Sequence, residues 1–364
     1  MTTKLAFLVK HSTAMGARTG FLTVNGHQVA TPAIVQTGSV IGTLTPGELA
    51  ECQTQLIKVN VIDYWRHFGA RLPQLGDLHR LIGWDGVILT DPGAEQAYRW
   101  AKPRGRKPSG VHFHDPQTSE MKLYTPLAAL RGQAVLGADI MQSFARMADY
   151  YAPVDDLKAA VTRTTNWLQE FSLPANCLAT IVGGGLKRAR QANIAALPAS
   201  VAGYCIAGVA SMVPIEEQQR LVEEVITMLP SGGLRYLPTS GTLHQLFTML
   251  ASGVDLIDSD LAGREANMGN ALVGGGHRLH LDRGHFAVDQ RPIVPGCACP
   301  VCQNDISRAE IHQLLIHHQP LGERYLLLHN LFTINQMVSA FRTAIMANHQ
   351  TEYLAKLGWN PGQQ

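Results

Sequence analysis

Residues 254–260 read VDLIDSD, a short and nearly continuous apolar run that breaks into acidic and hydroxyl side chains. Counted along the chain it is the eighth of its kind. The others are TPAIVQTG (31–38), LIKVNVID (56–63), GVILTD (86–91), ADIMQSF (138–144), CLATIVGG (177–184), GYCIAGVA (203–210) and LRYLPTS (234–240). Each ends in a polar or glycine-rich turn, the pattern of parallel strands buried on both faces. Helical segments fill the gaps. Thr45 is placed as N-cap with Pro46 at the first helical position, Pro126 opens PLAALRGQAVLG, and Asp155 or Asp156 begins the long DDLKAAVTRTTNWLQEF. Pro214 and Thr242 start two more. Strand and helix alternating through eight rounds predict an α/β (β/α)8 TIM barrel, because the eighth strand closes the count.

A barrel of this kind occupies up to ~250 residues as one domain, and the chain has 364. The expected organisation is therefore a single barrel domain over 1–364. Two stretches interrupt it: 92–125, rich in Pro, Gly and basic residues, and 265–330, read as a zinc-binding subdomain. With 46% hydrophobic and 16% charged residues the chain excludes disorder, collagen and a disulfide mini-scaffold. Thirty Lys and Arg against 28 Asp and Glu leave a formal charge of +2, so any polyanion must meet a local basic face. No apolar stretch approaches the ~18 residues of a membrane span, and the N-terminus lacks a sustained apolar segment before a cleavage site, so a cytoplasmic protein is expected.

Six cysteines divide into three scattered singly (52, 177, 205) and three crowded into CACPVC (297–302). Neighbours that close would form a strained disulfide, so metal ligation explains the cluster better. Cys297, Cys299 and Cys302 with one imidazole complete a tetrahedral structural zinc site. His329 in LLLHN is the expected fourth ligand; His312, His317 and His318 compete with it, because sequence distance does not choose among them. Four protein ligands leave no open position, so this zinc organises the chain and catalyses nothing.

Two carboxylates end strand-like runs, Asp91 after GVILT and Asp258 after VDLI. Both should project at the C-terminal mouth of the barrel, one as nucleophile and the other as general acid/base. Asp255 and Asp260 are rivals for the second position. The glycine clusters at 183–185, 208 and 274–276 permit close backbone approach without completing a phosphate-binding motif. The basic loop RWAKPRGRKPSG (99–110), with Lys187, Arg188, Arg190 and Arg264, would form a polyphosphate track if it shared the mouth.

These motifs converge on a family. The chain resembles tRNA-guanine transglycosylases (queuine tRNA-ribosyltransferases) almost end to end, through ARTGFLTVNGHQVATPAIVQTGSVIGTLTPGELA, LHRLIGWDGVILTDPG, GVHFHDPQTSEMKLYTP, ADIMQSFARM, IVGGG, GYCIAGVA, RYLPTSGT, GVDLIDSDLAGREANMG and RPIVPGCACPVCQNDISRAEIHQLL. The resemblance implies a (β/α)8 barrel with a zinc insertion and double-displacement base exchange on tRNA. Asp258 matches the nucleophile that would attack C1′ and hold a covalent glycosyl intermediate, and Asp91 matches the general acid/base. The target base would have to leave its stack. Gly208, followed by Val209, matches the backbone amide that meets an exocyclic oxygen, and Arg264 matches an anticodon-loop reader.

The base-reading positions depart from that pattern together. Ala145 stands where the family has a guanine-reading aspartate, and Gly183 replaces a glutamine in IVQGG. Glu95 replaces a stacking aromatic, Pro92 and Ala94 replace a serine and a glycine, and Asn267 replaces a second arginine. Glu95, or Asp63 in NVID, could supply a replacement carboxylate. The resemblance thus implies altered base specificity, for a 7-deazaguanine-like or other free nucleobase, in a homodimer or a heterodimer with a paralogue. Two alternatives stand beside it: a non-catalytic tRNA-binding subunit of a heteromeric transglycosylase, and a paralogue that places a deazaguanine in DNA.

Overall fold

The computed structural model describes residues 5–37, 39–198, 201–209 and 212–359. Eight parallel strands follow the eight apolar runs: β1 Ala33–Gln36, β2 Leu56–Asn60, β3 Val87–Asp91, β4 Met141–Gln142, β5 Cys177–Ile181, β6 Gly203–Ile206, β7 Leu234–Leu237 and β8 Leu256–Ser259. They pair in the order β4-β5-β6-β7-β8-β1-β2-β3. A parallel bridge between Leu89 and Ile140 joins β3 to β4 and turns the sheet into a barrel.

Period-2 alternation explains why the runs are apolar throughout. Ala33, Val35, Leu56, Val87, Leu89, Leu178, Leu234, Tyr236 and Leu256 form one buried cluster inside the barrel. Their neighbours Ile34, Ile57, Ile88, Ile181, Ile206, Leu237 and Ile257 belong to a second cluster shared with the surrounding helices. Three helix starts follow the expected chemistry, whereas the helix expected from Asp155 or Asp156 begins at Val154 after Pro153, with no side-chain cap. Thr45 and Thr242 each make a capping box, and the Thr125 side chain accepts the Ala128 N–H ahead of the helix Pro126–Val135.

Three features depart from the sequence expectations. The run 56–63 splits, because the Asn60 side chain accepts the Ile62 N–H and starts the helix Val61–Phe68. The run 138–144 contributes only two strand residues, and the Asp139 side chain accepts the Ile88 N–H beside them at 2.8 Å. An antiparallel sheet, Leu5–Ser12, Arg18–Val24 and His27–Thr31, was not foreseen. Its first strand alternates half-buried and exposed residues, unlike the continuous runs of the barrel. Leu22, Val24 and Val29 join the barrel's inner cluster, closing the end opposite the strand C-termini.

Arg18 anchors this plug. Its guanidinium donates to Asp255 Oδ1 and Oδ2 at 2.8 and 2.5 Å and to the carbonyls of Ser231 and Gly233. Asp255 is fully buried here, far from any substrate face. Removing one partner of a buried pair leaves the other charge uncompensated. Arg18→Met is expected to lower the unfolding free energy by ~3–5 kcal/mol, read from the urea midpoint.

The stretch 92–125 carries the helix Ala94–Trp100 and the antiparallel strands Arg106–Lys107, Gly110–His114 and Met121–Tyr124. Tyr124 donates to the Pro92 carbonyl at 2.6 Å, tying this sheet to the turn after Asp91. Residues 265 and 330 both fall inside helices, Leu261–Asn267 and the 27-residue Pro320–Met346. Gly274–Gly276 make the turn of the hairpin Asn270–Val273 and His277–His280, with φ of 76° at Gly275 and Gly276. Among the described residues no helix is long and apolar enough to cross a membrane.

Candidate active site and metal centre

At the C-terminal mouth of the barrel the alternation that fills the interior with aliphatics gives way to polar side chains. Lys58 on β2, Asp91 at the end of β3, Tyr236 on β7 and Asp258 on β8 converge there. The Lys58 ammonium contacts Asp258 Oδ2 and lies 3.5 Å from Asp91 Oδ2, so one cation bridges the two carboxylates. Tyr236 donates to Asp258 Oδ1 at 2.6 Å. Both Asp258 oxygens therefore have a partner.

Burial pushes the Asp258 carboxyl up, against the opposing pull of Lys58 and of the Tyr236 hydroxyl. Burial also works against the Lys58 ammonium, but Asp258 and Asp91 outweigh it and raise the lysine further. Asp91 is more open, with 27% of its side chain exposed against 5% for Asp258. Its Oδ1 accepts the Gly93 N–H at 2.7 Å, which aims Oδ2 at Lys58.

Above this floor opens a cavity of about 700 Å³, lined among others by Lys58, Asp91, Glu95, Ala145, Gly208 and Arg264. Val209, Pro92 and Ala94 also face it. Gly183 does not. A Cβ there would meet Arg190 Cγ at 2.8 Å, so close packing accounts for that glycine. Arg190 itself is fully buried and donates to the carbonyls of Gly184, Ile181 and Ala207. It therefore leaves the expected basic track.

Asp63 lies outside the cavity lining, paired with Arg66 at 3.2 Å. Glu95 stands on the rim, 68% exposed and paired with Arg99 at 2.9 Å. Arg264 pairs with Asp260 at 2.9 Å and donates to the Gly241 carbonyl, which keeps it at the mouth. Arg99 and Arg106 of the basic loop reach the same rim.

The second constellation lies under the long C-terminal helix. One ligand atom from each of Cys297, Cys299, Cys302 and His329 lies within 4.8 Å of every other. His329 Nδ1 is 4.0, 3.3 and 3.7 Å from the three sulfurs in chain order. Zn–S of ~2.3 Å and Zn–N of ~2.0 Å in a tetrahedron put ligand atoms ~3.5–3.8 Å apart, so the cluster fits zinc. The other ring nitrogen, Nε2, faces the Leu272 carbonyl at 2.8 Å, which leaves the Nδ1 lone pair for the metal. His312 is held instead by the Leu281 carbonyl, and His317 and His318 are exposed. Three thiolates and an imidazole make a closed, structural zinc site.

A family model described as Queuine tRNA-ribosyltransferase matches residues 13–358. The chain is 32% identical to the queuine tRNA-ribosyltransferase of Prochlorococcus marinus (strain MIT 9303) over 360 residues, covering 96% of both chains. It is 32% identical to that of Listeria welshimeri over 367 residues, covering 97% of this chain and 96% of the relative. The match to the Synechococcus elongatus protein is also 32%, over 89% and 86%. The chain belongs to the queuine tRNA-ribosyltransferase family.

The cavity wall carries Gln142, Ser143 and Thr180 beside Asp91, and Glu95 at its rim. Ala145 is buried and lines the cavity with a methyl group. Of the two expected replacement carboxylates only Glu95 lines the cavity, and it is already paired with Arg99.

Two residues of the floor were not foreseen. Tyr236 lies inside the apolar run LRYLPTS, where nothing local marks it apart from its neighbours. Lys58 carried a readable signal: a lysine at an inward position of the apolar run LIKVNVID must meet carboxylates, because an unpaired buried ammonium is too costly.

Proposed function

We propose that the protein exchanges a nucleobase in tRNA through a covalent intermediate on Asp258, with a base specificity different from that of guanine-reading relatives. The observation that carries this reading is the convergence of Asp258 and Asp91 on one ammonium at the floor of a cavity of about 700 Å³, a size that admits a single flipped-out nucleotide. The family membership supplies the reaction class.

Ionised Asp258 attacks C1′ of the nucleotide, forming an ester. The C1′–N electron pair leaves with the base, which takes a proton from water at the open mouth. In the second half the incoming base attacks C1′ through nitrogen, its N–H proton passes to Asp91, and the ester electrons return to Asp258. Oxocarbenium-like charge at C1′ is stabilised by the carboxylates, as in glycoside hydrolysis. Arg99, Arg106 and Arg264 at the rim meet phosphates and position the strand.

Loss of the carboxylate at position 145 supports a changed base, since a site built to bond a ring N–H discriminates by as much as ~10⁴–10⁵ through that bond. The test is a panel of free bases, including guanine and 7-substituted deazaguanines, offered with tRNA, with unmodified RNA and with DNA. Incorporation of a base other than guanine into tRNA, through an adduct stable to denaturant, is the expected result. Guanine as the preferred base would overturn the altered specificity. Incorporation into DNA alone would replace tRNA as the target, and no adduct with any nucleic acid would sink the enzyme reading.

A further inference from the structure

An ammonium inside a barrel persists only where carboxylates meet it, and Lys58 meets two. Its side chain is 17% exposed and lines the cavity, whereas Asp258 does not. Among the described residues no other cation lies within ion-pair distance of either carboxylate. The remaining titratable groups facing Asp258 are the Tyr236 phenol from β7 and the Cys205 thiol from β6. Burial raises both well above their ordinary values, so both are neutral and leave the charge balance to Lys58. One positive charge thus serves two negative ones, and it stands between the cavity and the nucleophile.

We propose that Lys58 is the positioning residue of the base exchange: it keeps Asp258 ionised in the resting site and swings its ammonium from Asp258 to Asp91 as the nucleotide arrives. This rests on the base-exchange reading above. A sugar C1′ reaches Asp258 Oδ2 only when the Lys58 ammonium gives way, and the 3.5 Å gap to Asp91 Oδ2 is the space it can close. Esterification then removes the charge on Asp258, so the lysine retains Asp91 as its carboxylate partner and holds it toward the incoming base. Tyr236 keeps Asp258 Oδ1 fixed throughout. Without Lys58, the nearby negative charge of Asp91 and the burial of Asp258 both favour a protonated Asp258, which is no nucleophile.

The test compares Lys58→Met and Lys58→Arg with the natural protein between about pH 5 and about pH 9. Two quantities are followed: the rate of denaturant-stable adduct formation, and the titration of the Asp258 carboxyl in substrate-free protein by ¹³C NMR, assigned with Asp258→Asn. In Lys58→Met both midpoints are expected to move upward together by about one unit or more, costing ~10-fold or more in rate on the acid side and recovering at higher pH. Lys58→Arg should hold the original midpoint. An unmoved Asp258 midpoint in Lys58→Met, or a rate loss equal at every pH, would overturn the proposal. Should Lys58→Met fail to fold, Lys58→Gln carries the same comparison. A shifted titration with no adduct from any nucleic acid would support the Lys58 coupling and remove the base-exchange reading, so the two fail separately.

Discussion

Asp258→Asn is expected to abolish adduct formation and to lower base exchange by ~10⁴-fold or more, the scale on which removal of a nucleophile acts. The amide keeps the volume and leaves Tyr236 an oxygen to donate to, so the barrel floor should stay assembled. Circular dichroism and the thermal midpoint check that it does. Asp91→Asn should behave differently. It removes the proton acceptor for the incoming base, a contribution of ~10²–10⁴-fold. The first half-reaction does not depend on that acceptor, so an adduct should still form and accumulate. If Asp258→Asn still traps nucleic acid covalently, the nucleophile has been assigned to the wrong side chain.

The second large effect is structural. Metal analysis is expected to find about one zinc per chain, and Cys299→Ser or Cys302→Ser should bring it close to none. Structural zinc contributes ~10–16 kcal/mol in small zinc domains, and here that energy joins the CACPVC loop, the hairpin carbonyl of Leu272 and the helix Pro320–Met346. Chelation should therefore collapse hydrogen-exchange protection across the helix Arg308–Ile316 and the first half of the long helix before it affects β1 to β8. Metal-free protein that unfolds in one cooperative step with unchanged protection would refute the structural role.

Much of this molecule is legible as text because its strands are buried on both faces, which writes them as apolar runs whatever the helices around them do. That held for all eight barrel strands. It failed for the N-terminal sheet, whose first strand has an exposed face and alternates like many surface segments. It failed also at Asn60, where one side-chain bond to the Ile62 N–H turned expected strand into helix.

The candidate site divides in the same way. Cys297, Cys299 and Cys302 lie within six residues of one another, so proximity in sequence already implied proximity in space. The choice of His329 over three nearer histidines needed the tertiary structure, because it depends on which imidazole faces the cluster and which is held by another carbonyl. Asp91 and Asp258 were marked as strand-end acids by position alone. Their meeting through Lys58 was not, since 33 and 200 residues separate the lysine from them and only barrel closure brings β2, β3 and β8 to one floor.

By itself, then, the sequence determined the strand count, the thiol cluster and the acids at the mouth, because each is set by local periodicity or local spacing. The tertiary structure decided what those acids touch. It placed Gly183 against Arg190 instead of the cavity, removed Asp63 from the wall and put a lysine in front of Asp258. Those outcomes depend on side-chain directions across a closed barrel, where a contact is fixed by register and strand order and no longer by distance along the chain.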